Sequence, residues 1–503
     1  MNFYTSIEKT LKHDTDRELL TDTDGKKYTR RDIDTQVARL ASYMVSIGIK
    51  PGDRVSAQIH KSVMNLCLYL ACLRAGFVFH PLNPAYQSGE IEYFLGNAEP
   101  SLVVCDPEKL AMIRTLSDAA GINHLETMDA LGNGSLADKA AECSEEFATV
   151  RRGGDDMAAL LYSSGTTGLP KGIMLSHDNL RVNAECLVDA WGFTDTDRLF
   201  HCLPIFHVHG LFVALGCVLL AGGTMRWAAG FNPKQAIEFL PECTSMMGVP
   251  TYYTRLLADA DFSPSQCSNI RLFISGSAPL LARTHVEFEE RTNHIILERY
   301  GMTETGMNCS NPLAGKRKPG SVGPALPGVT ARVVDDQGQA CELGDIGNLQ
   351  VKGGNVFMGY WRMPEKTAED FTSDGFFNTG DQATEDSDGY FSIVGRSKDM
   401  VITGGLNVYP KEVEDMIGQM SGVSESAVIG VPHPDFGEAI VAVVVTAGAA
   451  NAPTPAEVIA FTKEKLANFK VPKHVSIADA LPRNTMGKVQ KKALREKFST
   501  LFN

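Results

Sequence analysis

The sequence contains no C-x-x-C pair, and its eleven cysteines stop at Cys341. That spacing excludes a zinc ribbon or a disulfide framework and fits buried free thiols in a reducing compartment. Long apolar runs are also missing. The longest uncharged one, LFVALGCVLLA at 211–221, falls well short of the ~20 residues of a spanning helix, so no membrane span is expected. The first residues, MNFYTSIEKTLKHDTDRELL, carry charge throughout and lack a signal-peptide core, which reads as a mature cytoplasmic chain. Positive charge is in deficit, with 47 Lys and Arg against 60 Asp and Glu, a net charge of -13. General nucleic-acid binding is thereby disfavoured. The sequence has no internal repeat, no low-complexity tract and no G-x-x-x-x-G-K-[ST] Walker loop.

What is present is an ordinary folded composition, 44% hydrophobic and 21% charged, spread over 503 residues. That length exceeds what one hydrophobic core normally organises. Strand-like runs such as SLVVCD (101–106), RLFISG (271–276) and HIILERYG (294–301) alternate with amphipathic patterns, as in mixed α/β layers. From 328 to 391 the texture changes to ARVVD, GNLQVKG and GYFSIVG separated by DQG, DSDG and SDG turns, which predict β-hairpins.

After GRSKD (395–399) a compact unit follows. One helix in it presents Val413, Met416, Ile417 and Met420 on one face. A second opens at the capping box Thr454–Glu457, with Pro455 at its first position, and should bury Ile459, Leu466 and Phe469. We therefore read an amino-terminal domain over 1–397 and a carboxy-terminal one over 398–503, with the boundary at Lys398. From residue 461 onward ten Lys or Arg face three acids, a basic surface on an acidic protein.

The loop YSSGTTGLPKG (162–172) directly follows the apolar run 157–161. Ser163, Ser164, Thr166 and Thr167 supply hydroxyls, Gly165 and Gly168 let backbone amides turn toward an anion, and Lys171 adds a cation. A solvent loop has a similar composition, so the stretch needs company. It has that company in RYGMTET (299–305), TGD (379–381), GRSKD, GGLNVYPKEVE (404–414) and PRNTMGKV (482–489), in that order. Together they resemble the motif series of the adenylate-forming superfamily of acyl-CoA synthetases, peptide-synthetase adenylation domains and luciferases. VPTYYTRLL, LFISGSAPLL, LERYGMTET, NVFMGYWRMPEKT and VITGGLNVYPKEVE are similar to malonyl-CoA synthetases in particular. Ser163 stands where threonine is usual, and PLNPAYQSGEIEYF (81–94) departs from the pattern of that group.

The resemblance implies an α/β and α+β protein. A large amino-terminal domain has two α/β layers plus a β-barrel-like part, and the carboxy-terminal α+β cap is small and mobile. It implies ATP, Mg²⁺ and coenzyme A, with a small carboxylic acid, malonate, as substrate. The loop 163–168 and Lys171 would hold the β- and γ-phosphates, and Glu304 with Thr167 the metal. Asp381 and Arg396 would hold the ribose. Tyr300, with Gly301, Met302 and Thr303 following it, would flank the adenine opposite Gly276, Ser277 and Ala278.

Lys488 would bridge the attacking carboxylate and the α-phosphate. Lys398 matches a hinge, and Gly404, Gly405 and Leu406 match the strand that replaces Lys488 for the thiol step. Arg299, His207 and Ser277 would line the acid pocket. If 297–300 is extended, Arg299 faces away from Glu298 and Tyr300, and its guanidinium suits a second carboxylate. His207 and His209, alternate residues of an expected strand, also raise a metal site, although no cysteine or carboxylate cluster completes it. Sequence leaves open methylmalonate or another short or medium-chain acid, the loading of a carrier protein, and a monomer or weak dimer. Nucleotide binding without turnover is disfavoured by Glu304, Asp381 and Lys488.

Overall fold

The computed structural model describes residues 1–502 apart from 164–169, 405, 447, 449–451 and 485–486. In the first sheet Arg54–Gln58, Val78–Pro81, Leu102–Cys105 and His124–Thr127 run parallel, as helical crossovers require. Met157–Ser163 joins parallel to Val78–Pro81 and then pairs antiparallel with Lys171–Ser176, which sets Ser163 opposite Lys171. Among the helices of this layer, Val63–Ala75 is apolar on every side and correspondingly buried from Asn65 onward. It starts on the Ser62 hydroxyl and stops at Gly76, whose φ of 76° is the left-handed conformation that ends helices.

The second sheet is built on Arg198–His201, Thr224–Trp227, Ser245–Gly248, Leu272–Ser275 and Leu297–Met302, all parallel, with Gly306–Ser310 returning antiparallel at one edge. The hairpins expected after 328 are Val329–Val334, Gly347–Gly353, Phe377–Glu385 and Phe391–Arg396, hydrogen-bonded in that order as an antiparallel sheet.

From Val401 a separate sheet forms around the long strands Val423–His433 and Gly437–Thr446. Alternation along them sends Val428, Ile440, Ala442 and Val444 to one core, with Val413 and Ile417 of the helix Pro410–Ile417. Ala427, Ile429, Val441 and Val443 go to another, with Leu494 of the helix Lys491–Phe498. The capping box at Thr454 and Glu457 starts the helix Pro455–Lys465 as expected. Its buried face carries Val458 and Thr462, however, and Ile459, Leu466 and Phe469 are only partly covered. The helix ends at Lys465, so Leu466 and Phe469 no longer follow its period. Among the described residues no helix is long and apolar enough to cross a membrane.

Candidate active site

The site forms where the carboxyl ends of the second sheet meet the antiparallel sheet and the small domain. Asp381 and Arg396 are direct cross-strand partners, and Arg396 Nε lies 3.0 Å from Asp381 Oδ1. The Tyr300 hydroxyl donates to the other carboxylate oxygen, Oδ2, at 2.5 Å. TGD, GRSKD and RYGMTET therefore converge on one carboxylate. The sequence placed all three residues around a nucleoside but missed the Tyr300–Asp381 bond. Tyr300 continues into Gly301, where a Cβ would fall 2.0 Å from the Gly306 carbonyl oxygen, so only glycine permits this tight return. Thr303 lines one small cleft with Asn83, Tyr86, Tyr162, Phe206 and His207.

Glu304 is buried, and burial raises its pKa against the opposing pull of Arg396, Lys488 and Lys171. A hard cation bound beside it would offset that burial and favour the ionised carboxylate as its oxygen ligand. Lys488 faces Arg396, Asp381, Glu304 and Arg299, and its pKa is lowered first by burial and then by Arg396. Its backbone is fixed by Asn484, whose Oδ1 accepts from the Lys488 amide at 2.9 Å. Lys171 Nζ lies 3.7 Å from Asp370 and 4.5 Å above the ring of Tyr360. The sequence reading missed both partners. Tyr360 sits within NVFMGYWRMPEKT, a segment that contributed to the resemblance without receiving a role.

Of the residues expected to line an acid pocket, Arg299 packs on Gly276, the neighbour of Ser277, and His207 lies near Lys488. Ser277, separated from the strand Leu272–Ser275 by Gly276, takes a φ of 71°, a strained value for a residue with a side chain, and Ala278 follows it. The Arg299 guanidinium lies flat against Gly276: a Cβ there would be 2.4 Å from Arg299 Cζ. Arg299 is 3% exposed, and its Nε and Nη2 have no hydrogen-bond acceptor among the described residues. Burial lowers its pKa to about 10, so it stays protonated at neutral pH. Glu298 points the other way, as alternation requires, and accepts from the Leu280 amide at 3.2 Å. Gly276→Ala should push the guanidinium aside and reduce kcat/KM for the acid roughly 5- to 150-fold, the equivalent of the ~1–3 kcal/mol that overpacking costs. Steady-state kinetics at saturating ATP measures it.

The two histidines depart from expectation in one respect. PIFHVHGLF is not a strand: the strand ends at His201, turns follow, and a π-helical segment spans His209–Ala214. The alternate-residue argument for a metal therefore fails, and no group of three or more His, Cys, Asp or Glu placed to hold a metal exists among the described residues. His209 Nδ1 instead lies 3.2 Å from Ser277 Oγ. His207 has a buried Nε2 with no hydrogen-bond partner among the described residues, and its pKa is lowered to about 3 by burial and then by Lys488. It is a neutral ring beside the lysine.

Other expected residues lie apart or cannot be placed. Ser164, Gly165, Thr166, Thr167, Gly168 and Gly405 fall outside the described residues. Gly404 and Leu406 are exposed on the hairpin Val401–Thr403 and Leu406–Val408, beside the exposed apolar Ile402 and Phe436. Lys398 is exposed in the short turn Ser397–Asp399.

The chain matches the family model of the AMP-binding enzyme over residues 7–361 and that of the AMP-binding enzyme C-terminal domain over 412–488. It belongs to the AMP-binding enzymes. Within this family it is 32% identical to a malonate–CoA ligase of Arabidopsis thaliana, over 94% of this chain and 85% of the relative. ATP-bound MatB from Rhodopseudomonas palustris superposes with a TM-score of 0.97 at 52% identity, over 100% of this chain and 99% of that one. Apo MatB from the same organism gives 0.85 at 51% identity with the same coverage. The AMP-binding enzyme described here thus shares its whole-chain arrangement more closely with the nucleotide-bound form.

Proposed function

We propose that this AMP-binding enzyme is a malonate–CoA ligase. It is an ATP-dependent acid–thiol ligase, and ATP, Mg²⁺ and coenzyme A belong to its reaction. The observation that carries the choice of acid is Arg299, a buried guanidinium two of whose donors have no partner among the described residues. A buried second carboxylate needs such a partner, and an uncharged acid does not.

A malonate carboxylate oxygen attacks the α-phosphorus of ATP, the bond to the β-phosphate breaks, and pyrophosphate leaves. Lys488 meets the charge that develops, and Arg299 with Ser277 and His209 holds the other end of the acid. Asp381, Arg396 and Tyr300 orient the nucleoside. Glu304, with Thr167, is the proposed ligand for Mg²⁺, which would offset phosphate charge. The thiol sulfur of coenzyme A then attacks the acyl carbon of the adenylate, and AMP leaves.

Lys488 occupies the space around the acyl carbon, so the thiol step requires the small domain to turn away. We place its hinge at Lys398, between domains 1–397 and 398–503, and assign the exposed hairpin at Gly404, Gly405 and Leu406 to the thiol step. The greater likeness to ATP-bound than to apo MatB supports reading this arrangement as the adenylation one. The test is a product assay with mono- and dicarboxylates in the presence of ATP, Mg²⁺ and coenzyme A. Malonate should yield malonyl-CoA, AMP and pyrophosphate in equal amounts. Turnover confined to monocarboxylates would overturn the assignment.

A further inference from the structure

Lys488 belongs to the small domain, yet it must meet groups fixed in the large one. Contacts between the two domains lie near the turn that carries it. One of them is unusual in form. Arg283, next to the start of the helix Ala282–Thr292, donates from Nη1 to the Val423 carbonyl at 2.7 Å and from Nη2 to the Ser424 carbonyl at 3.1 Å. Two successive backbone carbonyls are available to one guanidinium because the ladder slips there. The register between Val423–His433 and Gly437–Thr446 shifts between Val423 and Glu425, leaving Ser424 as the extra residue of a bulge. The Ser424 hydroxyl donates back to the Val445 carbonyl at 3.0 Å and holds the bulge in shape.

The residue after the bulge continues the path. Glu425 is ion-paired to Arg483. The same guanidinium donates to the Gly487 carbonyl, the residue before Lys488. Arg483 also bridges Val489 in antiparallel register, on the other side of Lys488. Charge-assisted bonds joined by the backbone at 423–425 therefore connect the large domain to the peptide that presents the lysine: Arg283, the Val423–Ser424 carbonyls, Glu425, Arg483, Gly487. Charged hydrogen bonds of this kind are stronger than neutral ones and fix geometry as well as energy. A displacement of about 1 Å at a reacting group can cost on the order of a hundredfold in rate.

We propose that Arg283 is a positioning residue for Lys488, acting through the bulge at Ser424 and the Glu425–Arg483 pair. The inference rests on the reading of Lys488 as the adenylation lysine. It goes beyond that reading by assigning the precision of its placement to a residue that touches neither substrate nor lysine. In this arrangement Arg283 grips the small domain while Lys488 stands toward Asp381 and Glu304, and under this proposal the grip is released when the domain turns for the thiol step. Losing it should therefore slow adenylate formation and leave the thiol step alone.

The experiment uses full-length Arg283→Ala, Glu425→Gln, the double variant and Arg283→Lys. Malonate-dependent ATP–pyrophosphate exchange should fall roughly ten- to a hundredfold in each single alanine or glutamine variant. Conversion of supplied malonyl-adenylate to thioester should be unchanged, and Arg283→Lys should recover part of the exchange rate. The double variant should be no slower than the slower single one, because both changes break one chain of contacts. Hydrogen–deuterium exchange at the Lys488 amide should quicken in both single variants, a readout independent of which acid is the substrate. Equal slowing of both half-reactions, multiplicative losses in the double variant, or an unaltered Lys488 amide would overturn the proposal. A wild-type enzyme that shows no malonate-dependent exchange would instead count against the substrate reading, with the amide measurement still deciding the role of Arg283.

Discussion

Lys488→Ala should slow malonyl-adenylate formation by roughly 100- to 1000-fold, the loss that follows removal of one preorganised charge donor from a transition state. Lys488 faces Asp381, Glu304, Arg396 and Arg299, so its ammonium already stands in the field of the site before reaction begins. Burial and the two arginines work against its charge, and the carboxylates of Asp381 and Glu304 work for it. An arriving carboxylate and phosphate shift that balance further toward the charged form, most of all as charge builds on the α-phosphate oxygens. The stabilisation is therefore largest in the transition state, which is the condition for a rate effect rather than a binding effect. Thioester formation from supplied malonyl-adenylate should be nearly unaffected, because that step needs the lysine out of the way. Equal losses in pyrophosphate exchange and in the thiol step would remove Lys488 from the adenylation chemistry.

Arg299→Ala should cost malonate turnover well over tenfold in kcat/KM while propionate or butyrate turnover is unchanged or improved. Truncating one partner of a buried, hydrogen-bonded charge pair typically costs about 2 to 5 kcal/mol. Among the described residues the guanidinium is given no carboxylate partner, and the ionisable groups beside it, Tyr253 and Cys217, are held neutral at ordinary pH by burial. Nε and Nη2 find no acceptor among the described residues. A residue serving the fold alone would be expected to satisfy them within the protein. Without the guanidinium the second carboxylate of malonate would enter a buried site unpaired, whereas the methyl of propionate would meet a roomier apolar one. A parallel loss for malonate and monocarboxylates would make Arg299 structural.

Much of this site was legible because its residues lie in short segments with local geometry. The opposite facing of Arg299 and Glu298 followed from strand alternation, and the strand Leu297–Met302 delivers it. Asp381 and Arg396 were assigned to one sugar from separate motifs, and the strands set them directly opposite each other. What sequence could not supply was pairing at a distance. Asp370 beside Lys171, the Tyr300 hydroxyl on Asp381 and the contact of Arg299 with Gly276 all depend on how separate elements pack in three dimensions. The misreading of PIFHVHGLF has a different cause. Short apolar runs fit a strand or a buried helical turn equally well, and the tertiary setting selects the π-helical segment.

The most direct test of the central claim is the ratio of kcat/KM for malonate to that for propionate in the wild-type enzyme, measured as AMP release with saturating ATP and coenzyme A. The buried, acceptor-free guanidinium of Arg299 predicts a ratio well above ten, with malonyl-CoA as the product. A ratio at or below one would contradict it.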